Sequence, residues 1–290
     1  MKRACITLDT EPDLHVGGCD IELFRSPDKL GALAEVINKF EVKLTGFLVT
    51  KILQRNAGLV ETALSSLPIR FESHSHNHNP LDTDSARELE ETVRWYTEFF
   101  RCPPKGYRAP NGLISPSGLS RLTEFGFVYD SSIFPSRRFD EFAYSHLGLP
   151  IQPYLYRTGR ADLMELPMAV VPRIRLVISL SYLKLFGWAL YRTLFATFGL
   201  PEVLIINTHP YDFFVESHLG RIPGWKRWAH ARNAKAALAL FERLLQTLQT
   251  AGYQFIYIDD LIHDLNKKAM TVVVLDDRRS GSPRKGNRRP

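Results

Sequence analysis

IRFESHSHNHNP, residues 69–80, starts as a short run that reads as a strand and ends in histidines. His74, His76 and His78 fall within five positions of a chain that holds only nine histidines. In a barrel of parallel strands, functional side chains gather where strands end and loops begin. This stretch therefore decides the fold if other strands end in the same way.

Several do. RACITLD (3–9) reads as a buried strand that ends on Asp9, with Glu11 just beyond. GYRAPNG (106–112) is a short strand running into a turn and carries Arg108; FVYDSS (127–132) carries Asp130. Glu165 lies in LMELPMAV (163–170), and His209 near the end of EVLIINTHP (202–210). LTGFLVT (44–50) and YQFIYID (253–259) complete the expected strands.

Helical stretches separate them. SPDKLGALAEVINKF (26–40) has Ser26 as N-cap and Pro27 in the first turn. Helices are also expected over 51–66, 83–100, 115–126 and 233–252, the last stopping at Gly252. Strands alternating with helices imply parallel βαβ units. With about seven or eight strands the expected architecture is α/β, a closed or nearly closed (β/α) barrel. It should occupy residues 1–265 without an internal linker.

Composition fits such a domain. The 290 residues are 44% hydrophobic and 23% charged, ordinary for a soluble globular chain. The three cysteines, Cys5, Cys19 and Cys102, form neither a disulfide framework nor a CxxC pattern. The opening MKRACITLDTEPD reads as no signal peptide, so a reducing cytoplasm is expected. The net charge of +6 is matched by six cations in RRSGSPRKGNRRP (278–290). Residues 266–290 are therefore expected to be a basic, disordered tail, and a nucleic-acid partner is not expected. RLVISLSYLKLFGWALYRTLFATFGL (175–200) is apolar and aromatic, but Lys184 and Arg192 interrupt it, leaving no uncharged run long enough to span a bilayer. It reads as a core-packed barrel helix, with an amphipathic face toward a membrane as the sharper alternative.

The histidines and strand-end carboxylates suggest a divalent metal. A catalytic site wants three protein ligands and one open position. Imidazole with carboxylate suits zinc, and also cobalt, nickel, iron or manganese. The spacing alone leaves open a histidine pair, His74 and His78, or a trio with His76. A carboxylate from Asp9-Thr10-Glu11 could complete either.

Taken in order, ITLDTEPD, SHSHNH, YRAPNG and NTHP resemble the polysaccharide deacetylase family, with its NodB-homology fold, over roughly residues 4–260. His74-Ser75-His76-Asn77-His78 is similar to the H-S/T-x-x-H signature, and Arg108-Ala109-Pro110-Asn111-Gly112 to R-x-P-x-G. The resemblance implies a distorted (β/α)7-8 barrel and a metal-dependent amide hydrolase. It implies Asp9 as general base and Glu11, His74 and His78 as ligands of one divalent ion. It also implies Arg108 as the residue orienting the base, the Asn111 N–H in an oxyanion hole, and His209 as general acid. Asp130 and Glu165 lie near later motifs as supporting residues, and Asp130 is expected to pair with His209.

Three departures bear on substrate and site. Glu11 replaces the family's aspartate, and no D-x-x-D-W type of motif follows Tyr129. Asn207 stands where a leucine lines the acetyl pocket, which opens the way to a formyl or more polar acyl group. His76 matches a variable position and receives no ligand role. The expected activity is N-deacetylation of an amino sugar, on a carbohydrate or lipid-linked saccharide, with peripheral contact at the inner membrane face in view. A deformylase, a cyclic-amide hydrolase or an inactive glycan-binding relative are the alternatives.

Overall fold

The structure is a computed structural model that describes residues 1–13, 19–137, 145–158, 161–214 and 224–274. Its centre is β1 (Lys2–Thr10), whose last seven residues are buried. A strand covered on both sides must be apolar along most of its length, and Ala4, Cys5, Ile6 and Leu8 meet that need. Parallel to β1 lie β2 (Leu44–Leu48) on one side and β8 (Val203–Thr208) on the other. Beyond β2 the sheet runs through β3 (Ile69–Ser73), β4 (Gly106–Tyr107), β5 (Tyr129–Asp130) and β7 (Asp162–Glu165), all parallel. β6 (Tyr154–Arg157) pairs antiparallel with β7, and β9 (Tyr253–Phe255) pairs with the start of β1.

The barrel is distorted and does not close through its strands. Among the described residues no strand ladder joins β7 to β8. The gap is spanned by the chain after β7, which bonds without regular pairing. Met168 N–H donates to Ile133 O (2.9 Å), Ala169 N–H to Ile205 O (2.8 Å), and Ser179 bridges Asn207. The short, irregular wall explains the distortion: β4 and β5 have two residues each.

Helices cover the outside. α1 (Glu22–Arg25) precedes α2 (Pro27–Lys39), where Ser26 caps through Lys29 N–H and Pro27 fills the first turn. α3 (Lys51–Ser66), α4 (Ala86–Phe100) and α5 (Pro116–Glu124) follow, the last two capped by Ser85 and Ser115. Two corrections concern the helical layer. The apolar 175–200 stretch is not one helix but α6 (Leu180–Phe186) and α7 (Trp188–Phe198), broken at Gly187 with φ of 83°. α8 (Pro210–Phe213), α9 (Gly224–Ala231) and α10 (Ala237–Thr250) come next. The strand expected over 253–259 stops at Phe255 and gives way to α11 (Ile258–Asp264). Asp259 and Asp260 lie in that helix's first turn, where carboxylates favour the positive end of the helix dipole.

Past the boundary expected at residue 265, β10 (Val272–Val274) pairs with β6. The basic stretch from 275 onward lies outside the described residues. No helix among the described residues is long and apolar enough to cross a membrane.

Candidate metal centre and active site

Parallel pairing sends the C-terminal ends of β1, β3, β4, β5, β7 and β8 to one end of the barrel, so their trailing residues meet there. Glu11 follows β1, and His74 follows β3. His74 Nδ1 lies 2.7 Å from Arg108 O; as donor there, it leaves Nε2 facing the site, 3.5 Å from Glu11 Oε2. After His74 the chain turns without forming a helix. Ser75 and His78 both have left-handed φ, 62° and 54°. Buried Glu88 from α4 fixes this turn by accepting from the N–H groups of His76 (2.8 Å) and Asn77 (2.6 Å). The rings of His74 and His78 end 5.0 Å apart, and His78 Nε2 meets Glu11 Oε2.

Glu11, His74 and His78 are the one group of metal-ligating atoms found among the described residues, all within 4.8 Å of one another. They fit a divalent cation. His78 Nε2 is buried and makes no well-directed hydrogen bond, although a carboxylate lies beside it. Two imidazoles and one carboxylate are also the donor set of a catalytic site that keeps a position open. Burial works to raise the Glu11 pKa, but the His78 charge and the close approach of His74 and His78 hold it well below the usual range. Burial would lower His78; the Glu11 carboxylate outweighs that and raises it. Tyr211 OH donates to the other oxygen, Glu11 Oε1, at 2.7 Å. His76 points elsewhere: its Nδ1 is 3.1 Å from Thr50 Oγ1, and its ring stacks on Trp95.

Beside this group lies an ion pair. Arg108 is buried, with its guanidinium 3.8 Å above the Phe47 ring, and bonds Asp9 Oδ1. Ser131 holds it further, through O to Nε (3.0 Å) and Oγ to Nη2 (2.9 Å). Asn207 donates to Asp9 Oδ2 at 3.0 Å and accepts from Arg108 at 3.3 Å. The residue expected as a pocket wall is thus a third member of the Asp9 network. Asp9 Oδ2 stands 4.0 Å from His74 Nε2 and 3.8 Å from His209 Nε2, so these groups share one space.

The family profile of polysaccharide deacetylases matches residues 2–129, which span β1 to the start of β5 and carry Asp9, Glu11, His74, His78 and Arg108. Over those residues the chain is similar to the polysaccharide deacetylase family. Solved structures of the same fold cover almost the whole chain. A Mycobacterium smegmatis protein assigned to the polysaccharide deacetylases superposes with a TM-score of 0.59 at 17% identity, covering 95% of this chain and 94% of that one. A Pseudomonas aeruginosa PAO1 protein with the same assignment gives 0.54 at 17%, covering 90% and 89%. The BA3943 mutant, a CE4 family pseudoenzyme with restored enzymatic activity, gives 0.51 at 14%, covering 92% and 68%. At such identities the likeness shows the fold, and function has to be argued from the site. No curated protein matches the sequence.

One pairing at this site differs from expectation. His209 pairs not with Asp130 but with Asp212, whose Oδ2 is 2.9 Å from Nδ1. Pro210 starts α8, placing Asp212 at its third position. There it also accepts from the His209 N–H at 3.0 Å. Burial would lower the His209 pKa; the Asp212 hydrogen bond and the Asp212, Glu11 and Asp9 charges override it and raise it to about 9. Asp212 falls to about 2: burial opposes this, while His209, Lys184 and Ser181 drive it. Asp130 instead accepts from Ser132 Oγ at 2.6 Å, and the Glu165 carboxyl acts on its charge. Burial raises Asp130, and burial with the Asp130 charge raises Glu165 well above the carboxylate range. The pair supports the site from below, since Ser132 Oγ also accepts from the Ala109 N–H at 2.8 Å, at the entry to the Asn111 turn. Asn111 is left-handed (φ 55°). Gly112 (φ 68°) is required, because a Cβ there would sit 2.5 Å from Ser132 O.

The sequence reading missed Asp212, Tyr211, Lys184 and Glu88. Asp212 left a signal, a carboxylate three residues after a histidine that precedes a proline, which is an N-terminal helix box. Lys184 left none: it is a buried lysine from α6 whose Nζ lies 3.8 Å from Asp212 Oδ1 and makes no hydrogen bond.

Proposed function

We propose that the protein is a metal-dependent hydrolase that removes the N-acetyl group of an amino sugar, on a carbohydrate or a lipid-linked saccharide. The observation that supports it best is the position of Asp9, within 4.0 Å of the His74 nitrogen and 3.8 Å of the His209 nitrogen. One carboxylate thus stands between a three-ligand group and a histidine biased toward its charged form.

Glu11, His74 Nε2 and His78 Nε2 would hold the ion, with zinc expected and cobalt, nickel, iron or manganese as alternatives. When bound, the ion makes water more acidic and polarises the amide carbonyl. Asp9 takes the proton of the attacking water; Arg108 and Asn207 fix its two oxygens and its orientation. The Asn111 N–H serves the oxygen that becomes negative in the tetrahedral state. His209 has Nδ1 committed to Asp212, so it delivers a proton from Nε2 to the departing amine. The Asp212 carboxylate 2.9 Å from Nδ1 favours the protonated ring.

The case for a formyl or more polar acyl group began with Asn207 as a free polar side chain. Its amide is spent on Asp9 and Arg108, which favours acetyl. An inactive glycan-binding relative has no need of the Asp9–Arg108 and His209–Asp212 pairs together. We place the reaction in the cytoplasm, with a lipid-linked sugar at the inner membrane face as the substrate that best fits the apolar surface described next.

The test is metal analysis of the purified protein, then assays for acetate and formate release from N-acylated sugar nucleotides and polyprenyl-linked amino sugars. Near-stoichiometric metal with acetate release is expected. A protein that binds no divalent ion, or releases neither acid from any of these, overturns the reading.

A further inference from the structure

Three helices beside the site, α6, α7 and α9, carry more apolar and basic surface than a water-facing wall needs. α7 is held to the barrel by Tyr191 and Phe195, its only buried residues. Its remaining positions include Leu190, 40% exposed, and a single charge, Arg192. Phe186, just before the Gly187 break, is 42% exposed, and Trp228 on α9 is 59% exposed. These residues lie on adjoining helices. α6 packs against both α7 and α9. Asn233 Nδ2 donates to Lys184 O at 2.7 Å, tying the chain after α9 to the turn that ends in Phe186. Arg232, next to Asn233, lies over the Trp228 ring at 5.4 Å.

Among the described residues of α6, α7 and α9 the charge has one sign. No Asp or Glu occurs from Leu166 to Pro201, nor from Gly224 to Phe241. Arg192, Arg232 and Lys235 are all exposed. A second copy of the same face would set these cations against one another. The basic 278–290 stretch would be repelled in the same way. Aromatic and aliphatic side chains ringed by arginine and lysine complement an anionic lipid surface, where apolar groups enter the interface and cations meet headgroups.

The surface also borders the site. His230 on α9 packs its ring 6.0 Å from Tyr211, whose hydroxyl bonds Glu11. Ser181 on α6 bonds Asp212 at 2.7 Å.

We propose that the face formed by Phe186, Leu190, Arg192, Trp228, Arg232 and Lys235 docks on an anionic bilayer and brings a membrane-borne substrate to the mouth of the site. The docking stands on this surface alone; only the nature of the cargo rests on the deacetylase reading.

Full-length protein is sedimented with vesicles of phosphatidylcholine alone and of phosphatidylcholine mixed with phosphatidylglycerol. Binding to the mixed vesicles, weakened by salt, is expected. The double variant Arg232→Glu/Lys235→Glu and the double variant Leu190→Ser/Trp228→Ser should each weaken it about tenfold or more. Both should keep the wild-type thermal midpoint and any acetate release from a soluble sugar, since none of the four residues touches the site. No sedimentation of wild type with mixed vesicles overturns the proposal. So does undiminished binding of both variants, which would assign the attraction to the basic 278–290 stretch. Vesicle binding without release of acid from any substrate would retain the docking face and remove the deacetylase reading.

Discussion

Replacing Asp212 with asparagine tests whether the charge on His209 is set locally. The shorter-range role of the side chain is kept, because an asparagine amide oxygen still accepts from Ser181 and from the His209 N–H, so the turn should survive. What disappears is the negative charge 2.9 Å from Nδ1. A hydrogen bond to a charged group is worth about 1.5–3 kcal/mol, or about one to two pKa units. His209 starts at about 9. It should therefore drop to about 7–8, and its protonated share at pH 8 should fall from roughly nine-tenths to between a tenth and a half. A general acid works only while protonated. The alkaline limb of the activity profile should then move to lower pH by the same one to two units, about as far as the midpoint. The imidazole Cε1–H resonance, followed by NMR in metal-depleted protein, reads the midpoint without any substrate. If the midpoint of Asp212→Asn stays within a few tenths of a unit of wild type, Asp212 is a capping residue and the pairing has no electrostatic role.

Two further substitutions probe the same assembly. Lys184→Met removes a buried cation 3.8 Å from Asp212, so the His209 midpoint should rise, by a few tenths to about one unit. Because that ammonium makes no hydrogen bond, urea unfolding should show little loss of stability or a gain; a falling midpoint would refute the assignment. Among the histidines, His74→Ala and His78→Ala should each abolish stoichiometric metal in elemental analysis, while His76→Ala should retain it. Metal lost from His76→Ala but kept in His78→Ala would reverse the choice of ligands.

The fold was legible because parallel sheets leave a plain trace. Buried strands such as RACITLD are continuous apolar runs, and their ends carry the polar groups. The same logic located Asp9, Glu11, His74, His78, Arg108 and His209, which the structure brings to one end of the barrel. What could not be read depended on contacts between distant or irregular segments. Nothing in YLK marks Lys184 as buried against a carboxylate from another helix. The chain between Leu166 and Ser179 fills the barrel gap through isolated hydrogen bonds, which have no periodicity to detect. Asn207 was read by its place in a motif, where only packing reveals that both ends of its amide face Asp9 and Arg108. The apolar 175–200 stretch was read as one helix because a glycine inside a helical pattern is tolerated; Gly187 adopts a positive φ and breaks it.

The exchange of Asp130 for Asp212 follows from the charges that meet in the site. Asp130 lies against Glu165 in a buried pair whose pKa values are both raised, so it is poorly suited to hold a full negative charge for a histidine. Asp212 has two cations on it, His209 and Lys184, and the Ser181 hydroxyl shared between its two oxygens, so it stays ionised however deeply it is buried. Glu11 and Asp9 also pull on His209. Once Glu11 is committed to a divalent ion, its pull is cancelled and that ion repels the imidazolium. Asp9 is already balanced by Arg108. Asp212 is then the one carboxylate with charge left for His209, and a residue three positions away in the same helical turn can supply it without depending on how the rest of the barrel closes.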